Sequence, residues 1–332
     1  MNAPAMDVPA DDLVVTGTGL ALRGVGEPRR LLAPHPPPGD GDDPVARLTG
    51  RGLRYRDRAT RLAMCAARDA LAAAGLVRPP GTPGDLTVPA HRAGVVASTN
   101  YGNVDTVCDT VTTIAKETYT GTSPMALPAT ASNVVASWVA ITHGLHGANL
   151  TLCNGETSGL DAVHWARQLV AAGRVGWVLV IGVEPVNPPV RHLATGGTGT
   201  DARLLDGAAA LVVETAGSAR ERGAPALAAI GPYARKGTWH EAVAAVRGPG
   251  AEPVGLWCAP GGTVPPHALD PAQTCDLTAT LGECSGALGV LQAVAGTAWL
   301  HGGGSADVLA TAGTGRDGGA DASAALILRA AR

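Results

Sequence analysis

Apolar positions along the chain fall into two alternating patterns. Short runs in which nearly every residue is apolar or small recur at 13–22 (LVVTGTGLAL), 93–99 (AGVVAST), 149–153 (NLTLC), 177–185 (WVLVIGVEP) and 207–215 (GAAALVVET). Such runs predict strands buried on both faces. Between them lie longer stretches with helical spacing, at 57–76, 104–120, 129–143 and 157–172. Asp57 is placed to cap the first of these helices and Gly75 to end it. A sparser second series follows, with strands at ALAAIGPY, VGLWCAP, DVLATAG and SAALILR and a helix from about 285 to 300. Strands alternating with helices predict an α/β protein with buried sheets. Each series closes on an Ala-rich strand, which predicts an internal duplication: a first half over 1–215 and a shortened second half over 216–332, folded as one integrated unit.

The intervening segments APHPPPGDGDDP (33–44) and RPPGTPGDLTVP (78–89) read as surface loops. GTGLALRG imitates a dinucleotide fingerprint, but Leu22 stands where the third glycine belongs, and GTGRDGG (313–319) lacks a following helix; neither predicts a cofactor. The formal net charge of −3 gives no electrostatic case for nucleic acid or an anionic membrane. Neither a membrane-length apolar run nor a signal-peptide pattern is visible, so a cytoplasmic protein is expected. Cys65, Cys108, Cys153, Cys258, Cys275 and Cys284 form no CxxC and read as buried, reduced thiols. The histidines have no ligand spacing, His164 reads as a satisfied core residue, and no metal site is expected.

One place departs from this plain pattern. The apolar run at 149–153 breaks at Asn154-Gly155 and a helix opens at Thr157-Ser158-Gly159, leaving Glu156 at the crest. A strand-to-helix turn exposes one side chain at a helix N-terminus, where many enzymes hold a nucleophile.

The blocks LVVTGTGLALRGVG, DRATRLAMCAARDALAAAGL, PMALPATASNVVASWVAITHGLHGANLTL, SGLDAVHWARQLVAAGRVGWVLVIGVEP, LLDGAAALVVE and LGECSGALGVLQAVAG occur in the order found in the β-ketoacyl synthase family. The chain resembles that family over most of its length, most specifically across 156–185. The resemblance implies a thiolase-like five-layer αβαβα fold. It also places the family's catalytic positions. Glu156 stands where the nucleophilic cysteine belongs, Pro260 or Gly261 at the first histidine, Glu283 at the second histidine and Thr278 at the lysine. GTGRDGG replaces the family's gate loop, and the connection over about 216–250 is shortened.

Condensation by this family uses a thiolate to take the acyl group and two imidazoles to assist decarboxylation and stabilise an oxyanion. With those groups gone, the resemblance implies a non-condensing subunit similar to the chain-length factor of type II polyketide systems. Its partners would be an active ketosynthase, or a second copy of itself, and an acyl carrier protein. Met125, Leu127, Val134, Trp138 and Leu145 are then candidates for tunnel and interface walls, or for ordinary core. A second reading makes Glu156 and Glu283 an acid/base pair flanked by Cys153 and Cys284, suited to dehydration, isomerisation, cyclisation or hydrolysis. A third is a homodimeric binding or scaffold protein.

Overall fold

A computed structural model describes residues 12–33, 41–50, 52–77, 86–197, 202–248, 251–263, 269–313 and 322–331. The segments 34–40 and 78–85 and most of the GTGRDGG stretch lie outside the described residues. In chain order the elements are β1 (Leu13–Leu22), α1 (Arg58–Ala73), β2 (Ala93–Ser98), α2 (Val104–Glu117), α3 (Val134–His143), β3 (Asn149–Leu152), α4 (Ser158–Ala171), β4 (Trp177–Glu184), α5 (Pro188–Ala194) and β5 (Gly207–Thr215). The chain continues through α6 (Ala216–Glu221), β6 (Ala228–Lys236), α7 (Trp239–Arg247), β7 (Val254–Cys258), β8 (Gln273–Cys275), α8 (Leu277–Leu281), α9 (Leu288–His301), β9 (Asp307–Ala312) and β10 (Ser323–Arg329).

The strands lie in the order β3-β2-β4-β5-β1-β6-β10-β9-β7-β8. Substituting β6–β10 for β1–β5 turns one side of that order into the mirror of the other. The pairing directions repeat too: β2 runs parallel to β3 and β4, and β7 to β8 and β9. β5 is antiparallel to β4 and β1, as β10 is to β9 and β6. The strands are hydrogen-bonded into one ten-stranded array, whose two five-stranded halves, the first and second sheets below, join where Val14 and Val15 of β1 pair with Ala229 and Ala228 of β6.

Three large apolar clusters hold five layers together, the central one filling both sides of the middle helix layer. α1 and α3 cover the outer face of the first sheet, α4 and α9 fill the space between sheets, and α7 covers the outer face of the second. α9 is apolar all round and buried over nearly its whole length, as a helix between two sheets must be. α1 instead presents an alanine face to β1, and Gly17 and Gly19 are there because an added Cβ would lie 2.3 and 2.2 Å from the Ala70 and Ala66 carbonyls. The glycines that imitate a dinucleotide fingerprint are therefore helix-packing residues. Asp57 caps α1 by accepting from Thr60 N, and Gly75 follows its end at φ +69°.

At the centre α4 and α9 cross backbone to backbone. A Cβ on Gly159 would lie 2.6 Å from Gly289 N, and one on Gly289 would lie 2.2 Å from Leu160 N. Both glycines are the second residue of their helix, so the crossing follows the repeat.

Some boundaries differ from the sequence expectation. The predicted helix over 129–143 is a 3₁₀ turn at Leu127–Thr130 followed by α3, because Ala131 between them is extended. α5, α7 and the edge strand β8 are only seven, nine and three residues long, too short to stand out from the pattern. Cys108 and Cys153 are exposed, whereas Cys65, Cys258, Cys275 and Cys284 are buried, and all six thiols are free. No helix among the described residues is long and apolar enough to cross a membrane.

Replacing Gly289 with alanine forces α4 and α9 apart. We expect a loss of about 3 kcal/mol in chemical denaturation, or failure to fold. Unchanged stability would show that the two helices separate at little cost.

Candidate functional site

The glycine crossing sets two loops side by side, 153–157 before α4 and 282–287 before α9. The first begins where β3 ends. Gly155 turns at φ +79°, and Glu156 lies half-buried in the 3₁₀ turn Gly155–Thr157 that leads into α4. In the second, Ser285 is held at φ +43°, a left-handed conformation that costs a non-glycine residue energy.

Asn100, just past the end of β2, joins the loops. Its Nδ2 donates to the Gly155 carbonyl at 2.9 Å and to Ser285 Oγ at 2.8 Å. Its Oδ1 accepts from Gly155 N at 3.2 Å and Ser158 Oγ at 3.3 Å. Below it, at the end of β4, Glu184 is buried at 2% exposure. The Glu184 carboxylate accepts from Asn100 N at 2.7 Å, Gly286 N at 3.0 Å, Tyr101 N at 3.1 Å and Thr99 Oγ1 at 3.1 Å. Burial dominates over these donors and pushes Glu184 up to about 7. Asn100, Glu184 and Ser285 were not picked out from the sequence. The available signal was a glutamate closing the otherwise apolar run WVLVIGVE.

The first turn of α4 is fixed from the second sheet. Asp161 is buried and accepts from Tyr233 Oη, from Thr157 Oγ1 at 2.9 Å and from Asn154 Nδ2 at 3.0 Å, while Arg235 Nε lies 3.8 Å away. His164 stacks on Tyr233 with ring centroids 4.3 Å apart. Its Nδ1 is buried without a partner among the described residues, so it is not the satisfied core histidine that the sequence suggested.

Glu283 is clipped in place through its backbone, donating to the Arg203 carbonyl at 2.8 Å and accepting from Leu205 N at 2.9 Å. Its side chain is exposed, and Oε1 accepts from Ser285 N at 2.9 Å. Glu156 and Glu283 thus stand on loops that Asn100 ties together. Pro260 is buried at the end of β7, and Gly261 turns at φ +70° against Thr278, where an added Cβ would meet Thr278 Oγ1 at 3.0 Å. Asp276 holds this cluster together, accepting from Gly262 N at 2.9 Å and Ala279 N at 3.0 Å.

Both nearby cysteines are thiols rather than poised thiolates. Burial pushes Cys284 far up, and Glu283, Asp276 and Glu184 push it further; its Sγ donates to the Gly282 carbonyl at 3.1 Å. Cys153 is raised by partial desolvation and by Glu184, and contacts the Asn100 carbonyl at 3.7 Å. Of the residues suggested as tunnel or interface walls, Val134 and Leu145 are core and Trp138 is half-buried beneath Arg56. Met125 and Leu127 are 76% and 44% exposed. No group of three or more potential metal-ligating side chains occurs among the described residues.

Residues 36–202 match the Beta-ketoacyl synthase, N-terminal domain. The chain is 25% identical to 3-oxoacyl-[acyl-carrier-protein] synthase 2 of Vibrio harveyi over 168 residues, 45% of this chain and 40% of that relative's length. Among solved structures, a type II polyketide synthase acyl-carrier protein in complex with its ketosynthase bound to the hexaketide superposes with a TM-score of 0.76 at 16% identity, covering 96% of this chain and 99% of the other. The ishigamide ketosynthase/chain length factor superposes with a TM-score of 0.72 at 23% identity, with the same 96% and 99% coverage. These likenesses establish the fold.

The pH dependence of stability follows from Glu184. A carboxyl raised from 4.5 to about 7 contributes stability that is fully present below 4.5 and lost as the pH climbs through 7. Wild-type melting temperature should fall between those limits, by the equivalent of up to about 3 kcal/mol, and then level off. Glu184→Gln should flatten that slope; equal slopes in the two proteins would exclude Glu184 as its source.

Proposed function

This chain belongs to the β-ketoacyl synthase family, and on that premise we propose that it is a non-condensing subunit of a type II polyketide or fatty-acid-like system. It pairs with an active ketosynthase, helps to enclose the growing chain, and works alongside an acyl carrier protein. The observation that carries this reading is the chemistry at the family's catalytic positions: Glu156, Pro260, Gly261, Thr278 and Glu283.

None of these residues supplies the condensation reaction. An acyl group on Glu156 would be a mixed anhydride, which water cleaves readily. Pro260 and Gly261 have no side-chain donor for an oxyanion. A carboxylate at 283 would repel the charge that the family's histidine stabilises. Cys153 and Cys284 do not replace the nucleophile, because both thiols are shifted away from the thiolate.

The surface supports pairing. β3 is an edge strand, and exposed apolar side chains flank it on both faces of the sheet: Ile141 on α3 at 68% exposure and Trp165 on α4 at 47%. α2 has no buried residue along its 14 positions, although Val111 and Ile114 line one side of it. Tyr119 and Met125 extend the same apolar surface at 77% and 76% exposure. An unpaired edge bordered by this much apolar area is stable in water when a partner covers it. A cysteine-bearing ketosynthase is the partner that also restores the missing chemistry.

The test is reconstitution with a ketosynthase from the same gene neighbourhood and a loaded carrier protein. The two chains should co-purify, and Glu156→Gln should leave product output within a few-fold of wild type. A loss approaching the roughly 10²–10⁴-fold expected for a proton-transfer residue, with assembly intact, would overturn the non-catalytic reading.

A further inference from the structure

A cavity of about 310 Å³ opens between α2, the turn at 55–57 and the segment 121–127. α2 lines it with Thr106, Asp109, Thr110 and Thr113, which share one helix face at i, i+3, i+4 and i+7. The apolar stripe of Val107, Val111 and Ile114 lies on a different face of α2, and the 121–127 wall adjoins the surface assigned above to a partner subunit.

Arg56 lines the same cavity. Its guanidinium lies 4.5 Å over the Trp138 ring, and Nη1 reaches Met64 Sδ at 3.2 Å. Neither contact supplies a negative charge, and Nε is buried without a hydrogen-bond partner. No carboxylate among the described residues forms an ion pair with it. Adjacent Asp57 is committed elsewhere, accepting from Thr60 N and Thr60 Oγ1 at 2.7 Å each as the cap of α1. Burial lowers the proton affinity of Arg56, the direction expected of a cation taken partly out of water without a counter-ion.

The α2 wall has the complementary character. Asp109 makes no ion pair among the described residues. Thr110 and Thr113 spend their hydroxyl protons on the Thr106 and Asp109 carbonyls, at 2.7 and 2.9 Å, which leaves their oxygens as acceptors. The cavity lining therefore combines a cation and a set of acceptors that form no ion pair with each other, and Ala126 and Leu127 add apolar surface.

We propose that this cavity binds a small zwitterion of the α-amino acid class, its carboxylate against Arg56 and its ammonium against Asp109 and the threonine hydroxyls. A planar carboxylate suits a guanidinium, and an ammonium suits a wall that offers acceptors. The volume lies at the small end of the range for ligand pockets and suits a single amino acid rather than a peptide or nucleotide.

The full-length chain can be screened by thermal shift against the proteinogenic α-amino acids. The best binder is then titrated calorimetrically beside the same molecule lacking its amine and the same molecule lacking its carboxylate. At least one amino acid should raise the melting temperature saturably, and each truncated form should bind roughly tenfold or more weakly. Arg56→Gln and Asp109→Asn should each weaken binding to a similar degree. Asp109 is exposed, so Asp109→Asn leaves the fold intact and keeps the test valid should the Arg56 variant unfold. No saturable binding, equal binding of the deaminated acid, or unchanged affinity in Asp109→Asn would overturn the proposal.

Discussion

Two helices touch through glycine at the middle of this molecule, and much else follows from that contact. Gly159 and Gly289 bring the α4 and α9 backbones closer than any side chain would allow. Because each glycine lies one residue into its helix, the approach also draws together the two loops that precede the helices. One loop carries Glu156 and the other Glu283. The two halves of the chain form a shared site because their central helices cross near their N-termini rather than at their midpoints.

The loops are then held by the hydrogen bonds of part-buried Asn100 and buried Glu184. Asn100 uses both ends of its amide to bridge them, and Glu184 gathers four donors from the 99–101 segment and Gly286. A buried carboxylate with this many partners is costly to disturb, since losing one leaves unsatisfied groups in a low-dielectric setting. The consequence is that the loops carrying Glu156 and Glu283 are tied to each other and to the ends of β2 and β4. On the function proposed above, the scaffold of a condensing site is kept without its thiolate and imidazoles.

The sequence made most of the strand order's ingredients visible, because strands buried on both faces read as unbroken apolar runs and the same series appears twice. It also exposed Glu156, since a carboxylate at the crest of a strand-to-helix turn breaks the local pattern. Other features depend on contacts distant in the chain. β8 is three residues long, two of them exposed, so it carries almost no periodic signal. Glu184 ends an apolar strand, but its importance comes from the Asn100, Tyr101 and Gly286 amides. α2 reads as an ordinary amphipathic helix in the sequence, yet none of its residues is buried in the single chain. Met125 and Leu127 resemble core residues by type and sit mainly at the surface. Arg56 and Asp109 gave no sequence signal, because only the folded chain brings them to one cavity.

The central claim is that this chain does not itself accept an acyl group. Intact-mass spectrometry after incubation with an acyl-loaded carrier protein measures that directly, with the chain alone and with its ketosynthase partner present. The mass of this chain should remain unchanged in both conditions, while the partner gains the acyl group on its cysteine. A saturating acyl adduct on this chain, mapped to Glu156, Cys153 or Cys284, would contradict the account.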